Sequence, residues 1–152
     1  MPLSHASYMR EALIEARKAY EKGEVPIGCV VVVEGQILGR GHDLRESLCD
    51  ASAHAEILAL REAAKNLGDW RLNQATLYVT VEPCAMCAGA IVQFRVNRLV
   101  YGAPNAKSGS IDTILDIVHQ SRFNHRVEVI AGILEDECKE IIRQFFKELR
   151  NK

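Results

Sequence analysis

Residues 76–87 read Thr-Leu-Tyr-Val-Thr-Val-Glu-Pro-Cys-Ala-Met-Cys, an apolar stretch that ends in a Cys-x-x-Cys pair. Its first half is rich in β-branched and aromatic residues, which predicts a strand. Pro83 suits the first turn of a helix, where the amide hydrogen that proline lacks would be unpaired. Cys84 and Cys87 are three residues apart and would share one face of that helix. The stretch therefore predicts a strand followed by a helix, with two cysteines that can bind one ion.

Strand and helix signals alternate on both sides of this unit. The predicted strands are 27–33, 36–40, 76–81, 98–101 and 127–130. The predicted helices are 7–21, 53–67 with Ser52 as its N-cap, 83–93, 111–120 and 135–150. The turn at Glu34-Gly35 makes the first two strands antiparallel, whereas helices separate the later strands. The pattern predicts an α/β domain, a three-layer α/β/α sandwich with a five-stranded mixed sheet.

Length and composition indicate an ordinary globular chain. The 152 residues carry 19 Lys+Arg and 20 Asp+Glu, with 48% apolar residues. This length fits a single domain, 1–152, and the composition excludes a disordered or fibrous chain. The net charge of −1 gives no global electrostatic case for nucleic acid or a membrane. Neither a secretory signal nor a run of ~18 apolar residues is found, so we expect a cytoplasmic protein without membrane partners.

A second chemical segment, His54-Ala55-Glu56, opens the preceding predicted helix. One imidazole and the two thiolates of Cys84 and Cys87 form a ligand set that suits Zn²⁺. Three protein ligands leave the fourth position to water, whose pKa zinc lowers towards ~7. Glu56 lies beside this set and can carry a proton between water and a leaving group. The pattern predicts a catalytic zinc site.

Two other interpretations of the cysteines remain open at this stage. Cys84 and Cys87 can form a redox pair, although the Ala-Met spacer is untypical of thioredoxin-like motifs. A structural zinc site would need a fourth ligand. The candidates are Cys29, Cys49, Cys138, His42, His119 and His125.

The two segments together resemble the signature of the zinc nucleobase deaminases. Further stretches widen this resemblance to the bacterial tRNA-specific adenosine deaminases of the cytidine/deoxycytidylate deaminase superfamily. They are Glu24-Val25-Pro26-Ile27-Gly28, residues 77–84, Cys87-Ala88-Gly89-Ala90, Asn124-His125-Arg126 and Phe145-Phe146-x-x-Leu149-Arg150. The resemblance implies the cytidine-deaminase-like sandwich, zinc held by His54, Cys84 and Cys87, and Glu56 as general acid/base. It implies adenosine-to-inosine conversion at the wobble position of an arginine tRNA anticodon, by a homodimer.

By the same resemblance, six residues are expected to contact the substrate. They are Ile27, Asp43, Val81, Asn105, Lys107 and Phe146. Two of them depart from the family pattern, because Asp43 stands where Asn is usual and Asn105 where many bacterial members have Asp. An ionised Asp43 accepts hydrogen bonds but cannot donate them. Residues 50–52, Asp-Ala-Ser in place of Asp-Pro-Thr, and residues 111–113, which lack the usual Gly-Ser, are further departures.

Charge is unevenly distributed along the chain. Residues 1–92 have a net charge of −3 and residues 93–152 a net charge of +2. Lys139, Arg143, Lys147 and Arg150 fall on one face of the last predicted helix, either as a phosphate-binding stripe or as an ordinary solvated face. Arg95, Arg98 and residues 88–90 are candidates for contact with a second subunit, but the small residues 88–90 fit close helix packing in the core equally well.

Three functions compete on this evidence. The first is the tRNA adenosine deaminase. The second is a deaminase of a free base or nucleoside of the guanine or cytosine type, which Asp43 favours. The third is a non-catalytic zinc-binding subunit, against which the presence of Glu56 argues.

Overall fold

The structure is a computed structural model that describes residues 3–120 and 122–151. Met1, Pro2, Ser121 and Lys152 belong to the predicted domain and lie outside the described residues. The helices are α1 His5–Glu21, α2 Arg45–Leu48, α3 Ala55–Leu67, α4 Ala85–Gln93 and α5 Glu135–Arg150. The strands are β1 Gly28–Val33, β2 Gln36–His42, β3 Ala75–Val81, β4 Arg98–Ala103 and β5 Glu128–Ala131.

The five strands form one mixed sheet in the order β2-β1-β3-β4-β5. Strand β1 is antiparallel to both β2 and β3, whereas β3, β4 and β5 run parallel. One face of the sheet packs against α3 and α4 through a core that includes Val31, Leu60 and Ile91. The other face packs against α1 and α5 through Met9 and Cys138. The predicted three-layer α/β/α sandwich is confirmed.

Helix α3 lies very close to strand β2, because two glycines of the strand face it. A Cβ atom at Gly41 would lie 2.4 Å from the carbonyl oxygen of Ala55, and one at Gly39 would lie 2.1 Å from that of Ala59. No side chain fits at such distances. The glycines therefore set the height of α3 above the sheet, and with it the position of the residues at the start of that helix.

Three local predictions are wrong. Residues 111–120 form turns rather than a helix, because the backbone N–H groups of 111–113 donate to the side chain of Glu82. The N-cap of α3 is His54 rather than Ser52, whose hydroxyl donates to Asp50. Pro83 precedes the N-cap of α4 instead of occupying its first turn.

The short helix α2 lies between the predicted strand 36–40 and the predicted helix 53–67, where the sequence predicted neither a helix nor a strand. Among the described residues, no helix combines the length and apolar character needed to cross a bilayer.

Candidate active site

Two helix N-termini bring the predicted zinc ligands together. His54 is the N-cap of α3, Cys84 is the N-cap of α4, and Cys87 lies in the first turn of α4. The Nδ1 atom of His54 lies 3.7 Å from the Sγ atom of Cys84 and 3.6 Å from that of Cys87. The ligand atoms of all three residues lie within 4.8 Å of one another. They can therefore contact a single ion.

The electrostatics of these three side chains fit a divalent cation. The hydrogen bond from the Cys87 thiol, with a further one from His54, lowers the pKa of Cys84 to about 3 in spite of burial. The same Cys84–Cys87 bond, together with burial, raises the pKa of Cys87. Two adjacent thiolates repel each other, so a cation that binds both removes the obstacle to ionising the second. With one imidazole, this donor set suits Zn²⁺.

No other His, Cys, Asp or Glu among the described residues joins this cluster. The fourth-ligand candidate His42 is engaged elsewhere, with its Nδ1 atom 3.0 Å from Glu15 and its Nε2 atom 2.9 Å from Lys22. The arrangement thus offers three side chains that could hold a metal, the number found in catalytic zinc sites. The imidazole of His54 beside both cysteines also favours metal binding over a redox pair.

Glu56 occupies the second position of α3, two residues after His54, and is 4% exposed. Burial is the main cause that raises the pKa of its carboxyl to about 7, and the charge on Cys84 adds to it. A carboxyl group with a pKa near 7 can both take up and release a proton at neutral pH. Its position and protonation therefore suit a general acid/base.

A cavity of about 730 Å³ opens above His54, Glu56 and Cys84. This volume is in the range of small-molecule binding sites. All six residues that were expected to contact the substrate line it, namely Ile27, Asp43, Val81, Asn105, Lys107 and Phe146. The amide of Asn105 is hydrogen-bonded within its own loop, to the backbone N–H groups of Lys107 and Ser108 and to the Ser108 hydroxyl.

Asp43 has a partner that the sequence analysis missed. The residue is 2% exposed, and its carboxylate accepts hydrogen bonds from the backbone N–H of Arg45 at 3.0 Å and from Nε of Arg45 at 3.1 Å. The Nη2 atom of Arg45 lies 3.0 Å from the carboxylate. Arg45 itself lines the cavity. Arg45 therefore compensates the negative charge of Asp43 inside the site. In the sequence, the only indication of this ion pair is that the two residues are two positions apart.

A buried glutamate holds the cavity wall that contains Arg45. Glu24 is 2% exposed and accepts hydrogen bonds from the backbone N–H of Glu46 at 3.1 Å and of Ser47 at 2.6 Å. The Ser47 hydroxyl also donates to it, at 2.7 Å. Burial favours the neutral form, but these hydrogen bonds outweigh it and lower the pKa of Glu24. Glu24 thus fixes α2 to the turn that precedes β1.

Part of the basic stripe on α5 reaches the cavity. Lys139, Arg143 and Arg150 line it, and Lys147 does not. Lys139 is paired with Glu135 at 2.7 Å and Arg143 with Glu140 at 2.8 Å. The rim of the cavity is therefore basic, although much of its charge is partnered within the helix.

The residues expected at a subunit contact do not line this cavity, and one of them, Ala88, is fully buried in the core instead. Arg95 and Gly89 line a smaller cavity of about 250 Å³, together with Phe123, which is 45% exposed. A Cβ atom at Gly89 would meet no atom within 4 Å. Arg98 pairs with Glu128 at 3.0 Å. This face is thus open and partly apolar.

Comparisons with known proteins agree with this geometry. Residues 3–150 match the family model of the MafB19-like deaminases. The chain is 54% identical to the tRNA-specific adenosine deaminase of Bacillus subtilis (strain 168), with 95% of this chain and 90% of that protein aligned. It is 47% identical to the tRNA-specific adenosine deaminase of Streptococcus pyogenes serotype M1, over 95% of this chain and 85% of that one.

A solved structure also matches, from a study of A-to-I editing by tRNA:A34 deaminases at the wobble position of transfer RNA. Its TM-score is 0.84 at 43% sequence identity, and the match covers 89% of this chain and 99% of the other. The chain therefore belongs to the family of the tRNA-specific adenosine deaminases.

Proposed function

We propose that this chain is a zinc-dependent hydrolase that converts adenosine to inosine at the wobble position of a tRNA anticodon. The observation that carries the proposal is the convergence of His54, Cys84, Cys87 and Glu56 at one cavity. The 54% identity to a tRNA-specific adenosine deaminase supports the choice of substrate. One domain, 1–152, would suffice for this activity.

His54, Cys84 and Cys87 would hold the zinc ion. When bound, zinc acts as a Lewis acid that makes water a nucleophile at neutral pH. Glu56 would accept a proton from the water that adds to C6 of the adenine ring and return it to the departing amino group, so that ammonia leaves. The burial of Glu56 supports this role, because a carboxyl group with a raised pKa can hold the proton between the two steps.

The cavity walls divide between apolar and polar contacts to the nucleotide. Ile27, Val81 and Phe146 would pack against an extruded base, which anticodon loops supply at low cost because their bases are already partly unstacked. Asp43 would accept a hydrogen bond from a ribose hydroxyl, since an ionised carboxylate can only accept. Lys107 and the basic residues of α5 would meet phosphates, and Asn105 would shape the loop that carries Lys107.

The proposal also covers which tRNA is the substrate, where the protein is located and how many chains form the active enzyme. We infer an arginine tRNA as substrate, the cytoplasm as location and a homodimer as the active form. The open face around Gly89, Arg95 and Phe123 supports the dimer, because it offers partly apolar surface away from the cavity. Sedimentation of the zinc-loaded protein tests it, with a mass of one chain, 16.9 kDa, as the contradicting result.

The experiment that tests the reaction compares Glu56→Gln with Glu62→Gln, which changes an exposed residue of the same helix. Both variants should bind one zinc per chain. Glu56→Gln should deaminate an anticodon stem-loop at least about 100-fold more slowly, the lower range of general acid/base contributions, while Glu62→Gln retains activity. Retained turnover in zinc-loaded Glu56→Gln would refute the role of Glu56.

A further inference from the structure

One wall of the cavity consists of irregular backbone. The cavity loop, residues 104–113, follows β4 and carries Asn105 and Lys107 into the lining of the cavity. None of its residues is in a helix or a strand. Its shape must therefore come from contacts with the rest of the fold.

The carboxylate of Glu82 supplies these contacts. It accepts hydrogen bonds from the backbone N–H of Asn105 at 3.1 Å, of Ile111 at 3.1 Å, of Asp112 at 2.8 Å and of Thr113 at 3.0 Å. The hydroxyl of Thr113 also donates to it. Both ends of the cavity loop thus bind one side chain. Three consecutive N–H groups that point at one oxygen form a nest that favours an anion.

Glu82 is buried at a defined place relative to the zinc ligands. It is 1% exposed, directly follows β3 and precedes Cys84 by two residues. Its own backbone N–H donates to Ala103 at 2.8 Å. A buried carboxylate is tolerated only when donors satisfy it, and here the donors belong to the cavity loop.

Gly109 shows how closely the loop follows the carboxylate. A Cβ atom at this position would lie 2.6 Å from the Cδ and Oε1 atoms of Glu82 and 2.5 Å from the carbonyl oxygen of Asn105. No room remains for a side chain between the loop and Glu82. The loop is therefore wrapped around the carboxylate group itself.

We propose that Glu82 is a positioning residue for the substrate. Glu82 fixes the cavity loop, and the loop holds Lys107 in the lining of the cavity that also contains Cys84, the N-cap of α4. The proposal rests on the proposed function, because it assigns the loop to substrate binding. Glu82 also lines the cavity, but both of its carboxylate oxygens accept hydrogen bonds from the loop, so we assign it a role through the loop and not on the reacting atoms. Its removal should therefore weaken substrate binding more than it slows the chemical step.

The test is Glu82→Gln in the zinc-loaded full chain. The amide has one acceptor oxygen, and its NH₂ group faces backbone donors, so several of the five hydrogen bonds are lost. The amide hydrogens of Ile111, Asp112 and Thr113 should exchange at least about tenfold faster. The KM for an anticodon stem-loop should rise roughly tenfold, the effect of one charge-assisted hydrogen bond, with kcat and zinc content maintained.

Glu15→Gln is the matched control. Glu15 is 3% exposed and also forms buried polar contacts, but its partners are side chains: it has hydrogen bonds with Lys18 and His42 and an ion pair with Arg40. This variant should lose stability without faster exchange at 111–113 and without a change in KM. Thr113→Val removes only the hydroxyl contact and should shift exchange and KM in the same direction as Glu82→Gln, by a smaller factor.

Two results would overturn the proposal. The first is an unchanged rate of amide exchange in the cavity loop of Glu82→Gln, which would show that Glu82 does not hold the loop. If Glu82→Gln does not fold, an unchanged rate in Thr113→Val shows the same. Faster exchange with an unchanged KM, or with kcat and zinc content falling together, would show that the loop does not position substrate. The exchange measurement does not depend on enzyme activity. If the wild-type protein is inactive on the stem-loop, that result contradicts the proposed function and leaves the exchange test of Glu82 intact.

Discussion

The pairing of Asp43 with Arg45 leads to a quantitative prediction. Arg45 contributes its backbone N–H, Nε and Nη2 atoms to a carboxylate whose side chain is 3% exposed, while the Arg45 side chain is 42% exposed. Hydrogen bonds to charged groups contribute about 1.5–3 kcal/mol, and exposure of the guanidinium reduces this to about 1 kcal/mol for Asp43→Asn. For a chain of 152 residues this corresponds to a fall in Tm of about 2–4 °C.

Arg45→Ala should cost more than Asp43→Asn, because it leaves a nearly buried carboxylate with only the backbone donor. We expect about 2 kcal/mol for it, the desolvation cost of an unsatisfied group. In the double variant the buried charge is gone as well, so its loss should be smaller than the sum of the single losses by about 1 kcal/mol.

Urea unfolding of the four zinc-loaded proteins at equal concentration measures these differences. Because asparagine keeps one acceptor oxygen for a ribose hydroxyl, Asp43→Asn should also retain deamination of the stem-loop. Additive losses in the cycle would refute the reasoning, since they would mean that Asp43 and Arg45 do not stabilise each other. If the wild-type protein deaminates a free base and Asp43→Asn does not, the result would instead support the alternative function, a deaminase of free bases or nucleosides.

Three further predictions concern the metal, the sheet and pH. Cys87→Ala should bind much less than one zinc per chain, and elemental analysis of the dialysed protein that finds full occupancy would contradict the ligand assignment. Gly41→Ala should destabilise the fold by about 2 kcal/mol in urea unfolding, because its Cβ atom would overlap the backbone of α3. Glu24 and Glu15 have pKa values lowered from 4.5 in the folded state, by hydrogen bonds that outweigh burial. In acid the unfolded chain therefore binds more protons than the folded one. The contributions of Glu24 and Glu15 to the free energy of unfolding are complete above pH 4.5 and decline as the pH falls through their folded pKa values. In Glu24→Gln the free energy of unfolding should fall less steeply as the pH is lowered. The same pH dependence as in the wild-type protein would show that Glu24 does not contribute to it.

The parts of the fold that depend on local pattern were predictable from the sequence. The β-branched run before Val33 and the strand before Pro83 appear as central strands, and the long amphipathic helix keeps its predicted bounds, Glu135–Arg150. The grouping of His54, Cys84 and Cys87 was also predictable, because one imidazole and two thiolates stand at spacing typical of a metal site. The cavity lining came from the family resemblance, and the structure places all six residues in one cavity.

The missed features depend on contacts between distant parts of the chain. Periodicity at 111–120 predicted a helix, but Glu82, about 30 residues earlier, takes the amide hydrogens that the helix would need. Ser52 had the right residue type for an N-cap, but its hydroxyl binds Asp50. Glu24 and Glu82 stand in stretches that carry the family resemblance, but their sequence context did not indicate that loop and helix backbone would donate hydrogen bonds to them.

The choice of a tRNA adenosine over a free base as the substrate of this site can be tested in one experiment. The most direct measurement incubates zinc-loaded protein with an unmodified arginine tRNA, in the presence of free guanine, cytosine and adenosine, and identifies every product by mass spectrometry after nuclease digestion. We expect inosine at the wobble position alone, with the free compounds unchanged. Conversion of guanine or cytosine with an unmodified wobble adenosine would contradict it.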